Sequence, residues 1–254
     1  MLNILAIGGT GSVGRHVVDT ATKAGHKVRV LSRRPASTPG VETVVGDLTD
    51  PNTLTSAVDG IDAVVFTHGS HTGEDAIRDV DYQGVLNVLR AIGDRPVRIA
   101  LMTAIGVTYR DSYYNKTMKA HDWKRRSERL VRASGHPYTI VRPGWFDYNE
   151  ADQQELHFLQ GDTRRNAGPA DGAIARSQLA EVLVAALTSP GAEGKTFELV
   201  AERGPAQSDL EPLFAKLDAD VGLDGPRDEN NQPVAEEPAA VIADLQQITS
   251  IAAK

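Results

Sequence analysis

The sequence predicts an α/β fold, a doubly wound and mostly parallel sheet with helices on both faces, followed by a small C-terminal region on the substrate side. Three observations carry this. Short β-rich apolar runs alternate with helical patterns from the first residues, a glycine-rich turn joins the first run to the first helix, and the alternation loosens after residue 145. Strands that alternate with helices imply crossover connections, hence parallel strands covered on both faces.

Strands are expected at 2–7, 27–31, 42–45, 62–66, 97–102 and 138–142, with amphipathic stretches near 13–24, 51–58, 74–93 and 117–134 between them. A polar stretch, 149–173, comes next. It is followed by a helix at 177–187, a strand at 195–200, a helix around 207–217, a polar loop at 218–236 and a last helix near 237–252. In doubly wound folds such late segments wall the crevice above the strand ends.

Composition narrows the class. The chain has 254 residues, 41% hydrophobic and 24% charged, enough to bury a core without staples. It has no cysteine, which removes disulfides, thiolate chemistry and Cys-ligated zinc. A net charge of −7 argues against nucleic acid as a partner. No apolar run reaches the roughly 20 residues of a membrane span, and no basic segment precedes the apolar residues 1–7. The expectation is a cytoplasmic protein with neither a membrane nor a nucleic-acid partner.

The first strand, LNILAI, runs into GGTGSVG at residues 8–14 and then into a helical pattern. Gly8 permits the tight turn out of the strand, Gly11 lets backbone approach a pyrophosphate at the helix N-terminus, and Gly14 lets the helix pack closely on the sheet. Thr10, Ser12 and Val13 complete the turn. Strand, glycine turn and helix together read as a dinucleotide-binding Rossmann unit. The whole chain, 1–254, is then expected as one domain, with 1–145 as the dinucleotide-binding core and 146–254 as crevice and C-terminal elements.

About 20 residues past the glycines, an NAD site would carry an acid for the ribose 2′-hydroxyl. Ser32, Arg33 and Arg34 stand there instead. A guanidinium pairs with a 2′-phosphate, so NADP(H) is expected over NAD(H). Asp47 and Leu48, after the third strand, either meet the adenine or simply cap the next turn. Thr67, His68 and Gly69 follow the fourth strand, beside the adenosine ribose.

With these residues the chain resembles the short-chain dehydrogenase/reductase superfamily, in its atypical, NmrA-like branch. The resemblance covers about residues 1–200 and rests on GGTGSVG, on GDL at 46–48, and on KRRSERLVRASGHPYTIVRPGWF at 124–146. It implies that Lys124 lies near the nicotinamide ribose and that Pro143, Gly144 and Trp145 line the nicotinamide side. One departure matters. The superfamily's Tyr-x-x-x-Lys proton donor is missing, since Ala120 stands four residues before Lys124. Thr103 replaces a serine at the end of the fifth strand and retains a hydroxyl for a substrate oxygen.

Candidates for supplying the proton are His121, the tyrosines Tyr109, Tyr113 and Tyr114 before this helix, or water. Trp123, Ser127, Leu130 and Ser134 recur at helical spacing and read as a buried stripe. Without the resemblance, Lys124 and Glu128 would read as a surface i,i+4 pair. The cluster Lys124, Arg125, Arg126, Arg129 and Arg132 reads as a solvated face, which inclines the reading towards a monomer. His68 and His71 lack the carboxylates of a metal site, so no metal is expected. Gly194-Lys195-Thr196 precedes a strand, unlike a P-loop, and no G-x-S-x-G occurs.

Two functions fit. One is an NADPH-dependent reductase of a small carbonyl, enone, quinone or flavin, with a small-molecule substrate. The other is a dinucleotide-sensing regulator of the NmrA-like type, with a regulatory protein partner. The missing tyrosine favours the sensor. Lys124, Trp145 and the aromatic residues Phe146 and Tyr148 favour the reductase.

Overall fold

A computed structural model describes residues 1–36 and 39–253. Its centre is a ten-stranded sheet. Strands β1 (Asn3–Ile7), β2 (Lys27–Ser32), β3 (Glu42–Val45), β4 (Ala63–Phe66), β5 (Arg98–Met102) and β6 (Tyr138–Pro143) run parallel in the order β3-β2-β1-β4-β5-β6. Short strands β7 (Trp145–Phe146), β8 (Glu155–Leu159) and β9 (Ala173–Ile174) lie beyond, around β10 (Lys195–Glu202), which is parallel to β6 and antiparallel to β8 and β9. The strand order reverses between β1 and β4, where doubly wound sheets open their ligand crevice.

Successive side chains of a strand point to opposite faces, and β1 divides accordingly. Ile4 and Ala6 join the core under α1 (Gly14–Lys23) and α6 (Arg176–Ala186). Leu5 and Ile7 join the core under α3 (Gly84–Ile92), α5 (Ala120–Ala133) and α8 (Ala239–Ala252). The central strands are apolar on both faces because both are covered.

Several elements differ from expectation, each for a local reason. The stretch 51–58 yields only a 3-10 turn, Pro51–Thr53, capped by Asp50. The stretch 74–93 is helical throughout, as α2 (Glu74–Ile77), a π turn over Arg78–Gln83 and then α3. The stretch 117–134 breaks at Lys119, whose φ of 52° separates α4 (Tyr113–Met118) from α5. The polar 149–173 holds β8 and the start of β9, and 207–217 keeps only α7 (Glu211–Ala215). Among the described residues, no helix is long and apolar enough to cross a membrane.

The largest correction concerns the arginines of α5. Trp123, Ser127, Leu130 and Ser134 are buried as expected, yet Arg125, Arg129 and Arg132 are buried too, at 1%, 0% and 8% exposure. The polar segment 218–237 folds over them. Asp224 accepts from Arg125 Nε and Arg129 Nε at 3.0 Å, Glu237 from Arg129 Nη1 at 2.9 Å and Arg126 Nε at 2.7 Å, and Asp220 from Arg132 Nε at 2.8 Å. Buried charge must be paired, and here α5 is paired with its own chain. The solvated face on which the monomer reading leaned is therefore absent.

Candidate active site

The C-terminal ends of the parallel strands open into a crevice of about 1190 Å³. Its floor at one end is the turn from β1 to α1. Gly8 has φ +81°, and a Cβ there would lie 2.8 Å from the His68 nitrogen. A Cβ on Gly14 would strike the Gly8 carbonyl. Helix α1 starts after Val13 with no side-chain cap and no acid in its first turn; the Arg15 and His16 N–H groups donate to the Gly11 and Val13 carbonyls, which leaves those of Ser12, Val13 and Gly14 for an external acceptor. Thr10, Gly11 and Ser12 are exposed along the crevice. A diphosphate fits this cradle.

At the adenosine end Arg33 lines the crevice, whereas Arg34, equally exposed, does not. Asp47 turns the chain and stands at the crevice. Its Oδ1 accepts from the Thr49 N–H at 2.9 Å and hydroxyl at 2.8 Å, and the carboxylate borders the crevice beside Leu48. The Thr49 hydrogen bonds, with Arg33 adding its charge, hold the Asp47 pKa below its ordinary value. Thr67 donates to the Ile7 carbonyl at 3.0 Å. His68 Nε2 lies 3.0 Å from the Val80 carbonyl and so carries the ring's proton; burial pushes its pKa down to about 4, leaving it neutral. Gly69 comes close to Lys124, with a Cβ position 3.8 Å from Nζ. His71 is exposed, and among the described residues no cluster fit for a metal ion occurs.

Lys124 is not paired with Glu128. Its ammonium lies against the carboxylate of Asp81, which is 4% exposed and sits on the π turn. The other oxygen of Asp81 accepts the Ser70 N–H at 2.8 Å, and its backbone carbonyl accepts from Ser127 Oγ at 2.7 Å. The π turn therefore ties the loop after β4 to α5, as such turns at functional sites often do. Asp81 is not among the site residues expected from sequence. A signal was present, since an acid four residues after Ile77 and four before Val85 interrupts an apolar stripe.

At the far end Ala120 and His121 line the crevice. His121 Nδ1 is 3.1 Å from Ser112 Oγ and 3.4 Å from the Tyr109 carbonyl, and burial lowers its pKa. The Thr103 hydroxyl donates to Glu128 Oε1 at 2.7 Å, so its proton is already placed. Tyr109 and Tyr114 line the crevice, whereas Tyr113 is 73% exposed and lies outside it. Pro143, Gly144 and Trp145 form the opposite wall. Gly144 permits the close approach of Gly172, whose carbonyl accepts the Trp145 N–H at 2.9 Å.

Behind this end lies a second group of buried charges. Arg142 pairs with Asp228 through two bonds of 2.7 Å, and with Glu128 at 3.0 and 2.7 Å. It also reaches Glu198 at 3.3 Å. Burial opposes ionisation of Asp228, but the Arg142 hydrogen bonds and charge prevail and hold its pKa at about 2. For Glu198 burial prevails, reinforced by Asp162 and opposed by Arg142, and pushes its pKa up to about 8. Glu198 Oε2 accepts the Asp162 N–H at 3.1 Å, and Asp162 in turn holds the loop after β5 through the Gly106 and Thr108 N–H groups at 2.6 and 2.7 Å. The folded state binds the Glu198 proton more tightly than the unfolded chain. Its contribution to stability is therefore complete below the ordinary value of 4.5 and lost as pH rises through about 8. Neutral His68 and His121 gain stability up to the ordinary histidine value of 6.5, so the Glu198 loss stands alone above it; we expect urea midpoints to fall from pH 7 to 9 and Glu198→Gln to flatten that limb, and an unchanged slope in the variant would remove Glu198 as the cause.

Residues 8–190 match a family described as NAD(P)H-binding. A (4-alkanoyl-5-oxo-2,5-dihydrofuran-3-yl)methyl phosphate reductase of Streptomyces griseus is 32% identical over 224 residues, covering 86% of this chain and 74% of the relative. Sanguinarine reductase of Eschscholzia californica is 28% identical over 264 residues, covering 85% and 96%. A solved structure from Bacillus halodurans, assigned without an established activity to the NAD-dependent epimerases/dehydratases, superposes with a TM-score of 0.71 at 23% identity, covering 85% of this chain and 100% of that one. That likeness concerns the fold. With the glycine cradle and the 3-2-1-4-5-6 sheet, these findings place the chain in the NAD(P)H-binding family, of the atypical short-chain dehydrogenase/reductase type.

Proposed function

We propose that the protein is an NADPH-dependent oxidoreductase that reduces a small carbonyl, enone, quinone or flavin acceptor. The observation that carries this is the continuity of one crevice from the uncapped start of α1, past Arg33 and Lys124, to a wall of aromatic side chains. A sensor has no need of the last part. The reductases among its relatives support the same reading.

The nicotinamide cofactor supplies a hydride when bound. The chain's residues bind and orient. Gly8, Gly11 and the α1 N-terminus receive the diphosphate, and Arg33 receives a 2′-phosphate. Lys124, held by Asp81, offers N–H donors to ribose hydroxyls. His121, neutral and bonded to Ser112, relays a proton in place of the missing tyrosine. Trp145, Tyr114 and Tyr109 exclude water at the acceptor end. The test is NADPH oxidation against quinones, flavins, enones and ketones, with nucleotide binding titrated in parallel. Turnover on one class supports the reductase. Tight binding without turnover favours the regulator, a reading that Ala120 and the engaged Thr103 hydroxyl keep in view.

Cofactor choice is tested separately. Arg33→Ala is expected to weaken NADPH binding about 10-fold, as loss of a charged hydrogen bond does, and to leave NADH binding nearly unchanged. Arg34→Ala should alter the binding of neither nucleotide. Equal loss for both nucleotides would remove the 2′-phosphate assignment.

A further inference from the structure

Four aromatic rings stand in file across the outer end of the crevice. Tyr113 and Tyr114 are 6.1 Å apart between centroids, Tyr114 and Trp145 6.3 Å, and Trp145 and Tyr148 6.3 Å. They come from two separate segments, the start of α4 and the chain leaving β6. The chain carries only 13 aromatic residues in all, with 2 Trp, 6 Tyr and 5 Phe, so a third of its rings gather at one mouth.

Their geometry differs from that of the core. Phe158 and Phe197 in the core stack face to face at 4.3 Å and 21°. The rings of the file meet edge-on or tilted, at 74°, 51° and 84°, so no two of them stack face to face. Tyr113, Tyr114 and Tyr148 are 73%, 40% and 63% exposed. Contiguous exposed aromatic surface marks a binding site more often than chance. Here the inner members, Tyr114 and Trp145, are walls of the crevice itself, so the file continues the acceptor end outward.

We infer that this file is the acceptor subsite, and that its ligand is a planar acceptor of two or more fused rings rather than a small ketone. The inference rests on the reductase reading and narrows it. A fused-ring plane offers each exposed face an offset-stacked or edge-on partner, at roughly 0.5–1.5 kcal/mol per ring contact. A single-ring or aliphatic acceptor would engage the inner rings alone.

The probes are 1,4-benzoquinone, 1,4-naphthoquinone and 9,10-anthraquinone-2-sulfonate, assayed with wild type, Tyr148→Ala and Tyr148→Phe. Each acceptor is compared as the ratio of variant to wild type, so differences in reduction potential cancel. We expect the loss in kcat/KM for Tyr148→Ala to grow with ring number, reaching about 2- to 12-fold for the three-ring acceptor. Tyr148→Phe should recover it, since the ring and not the hydroxyl does the binding. Calorimetric binding of the anthraquinone to nucleotide-free protein should weaken in Tyr148→Ala by a similar factor, whether or not turnover occurs. Binding that depends on Tyr148 without turnover on any quinone would retain the subsite and count against the reductase. Turnover with equal ratios for all three acceptors would overturn the subsite alone. A change in sedimentation of Tyr148→Ala at constant quinone binding would overturn it too, by assigning the file to protein contact.

Discussion

Arg142→Met is expected to lower the unfolding free energy by about 3–5 kcal/mol, the usual result of stripping one partner from a buried ion pair. The guanidinium is the shared partner of Glu128, Asp228 and Glu198, of which the first two are charged at pH 7 while Glu198 keeps its proton, and both it and Glu128 lie out of solvent. Its removal leaves like charges facing one another in a medium that cannot screen them. Urea unfolding at pH 7 measures the loss. The double variant Arg142→Met/Glu128→Gln should regain part of it, because one of the stranded charges is then gone. A single-variant loss below about 1 kcal/mol, the range of exposed pairs, would mean that the cluster is solvated in solution.

Gly14→Ala should be nearly as severe and should act on binding as well. The added methyl would overlap the Gly8 carbonyl and crowd the Gly9 Cα, both backbone atoms that cannot swing aside. Helix α1 must then move off the turn, at a cost of about 1–3 kcal/mol or more for an overpacked site. Its N–H groups leave the cradle, and nucleotide affinity should fall at least about 100-fold, the worth of two charged hydrogen bonds. Gly11→Ala is the control. Its Cβ would stand 3.1 Å from the Gly8 oxygen, tight but open to small adjustment. Gly11 itself faces the diphosphate, so nucleotide affinity should fall in both; thermal unfolding without nucleotide separates them, and an equal loss of melting temperature would show that α1 is not seated by Gly14.

Much of the architecture could be read from local patterns because the forces that make it are local. Hydrophobic alternation marks the six parallel strands, and the glycine spacing marks the phosphate turn. Strand β8 escaped notice because ELHFL is short and set in a polar stretch, and gains its partner only when β10 lies beside it. The π turn escaped because one extra residue per turn barely disturbs an apolar stripe. The arginines of α5 were misread for a different reason. Charge on a helix says only that a partner or water is needed, and the partners arrive 95 residues later at Asp224 and 108 residues later at Glu237. Within the crevice, residue types were legible and their allegiances were not. Spacing alone offers Lys124 to Glu128 and the resemblance offers it to a ribose, and neither points to Asp81, which holds it.

The clasp between α5 and residues 218–237 also sets an order of assembly. A chain leaving the ribosome presents the glycine turn and its first strands early, and these pair with near neighbours in sequence. The helix that bears Lys124 and His121 emerges next, and its Arg125 and Arg129 meet no acid until Asp224 and Glu237 follow, while Arg132 has only Glu128 until Asp220 arrives. The glycine turn is thus made early, although α1 gains its cover only when α6 follows, and the reacting end is completed last. A chain halted before residue 220 is therefore expected to leave Arg125 and Arg129 of α5 in water, and the reacting end is complete only once residues 220–237 have been made.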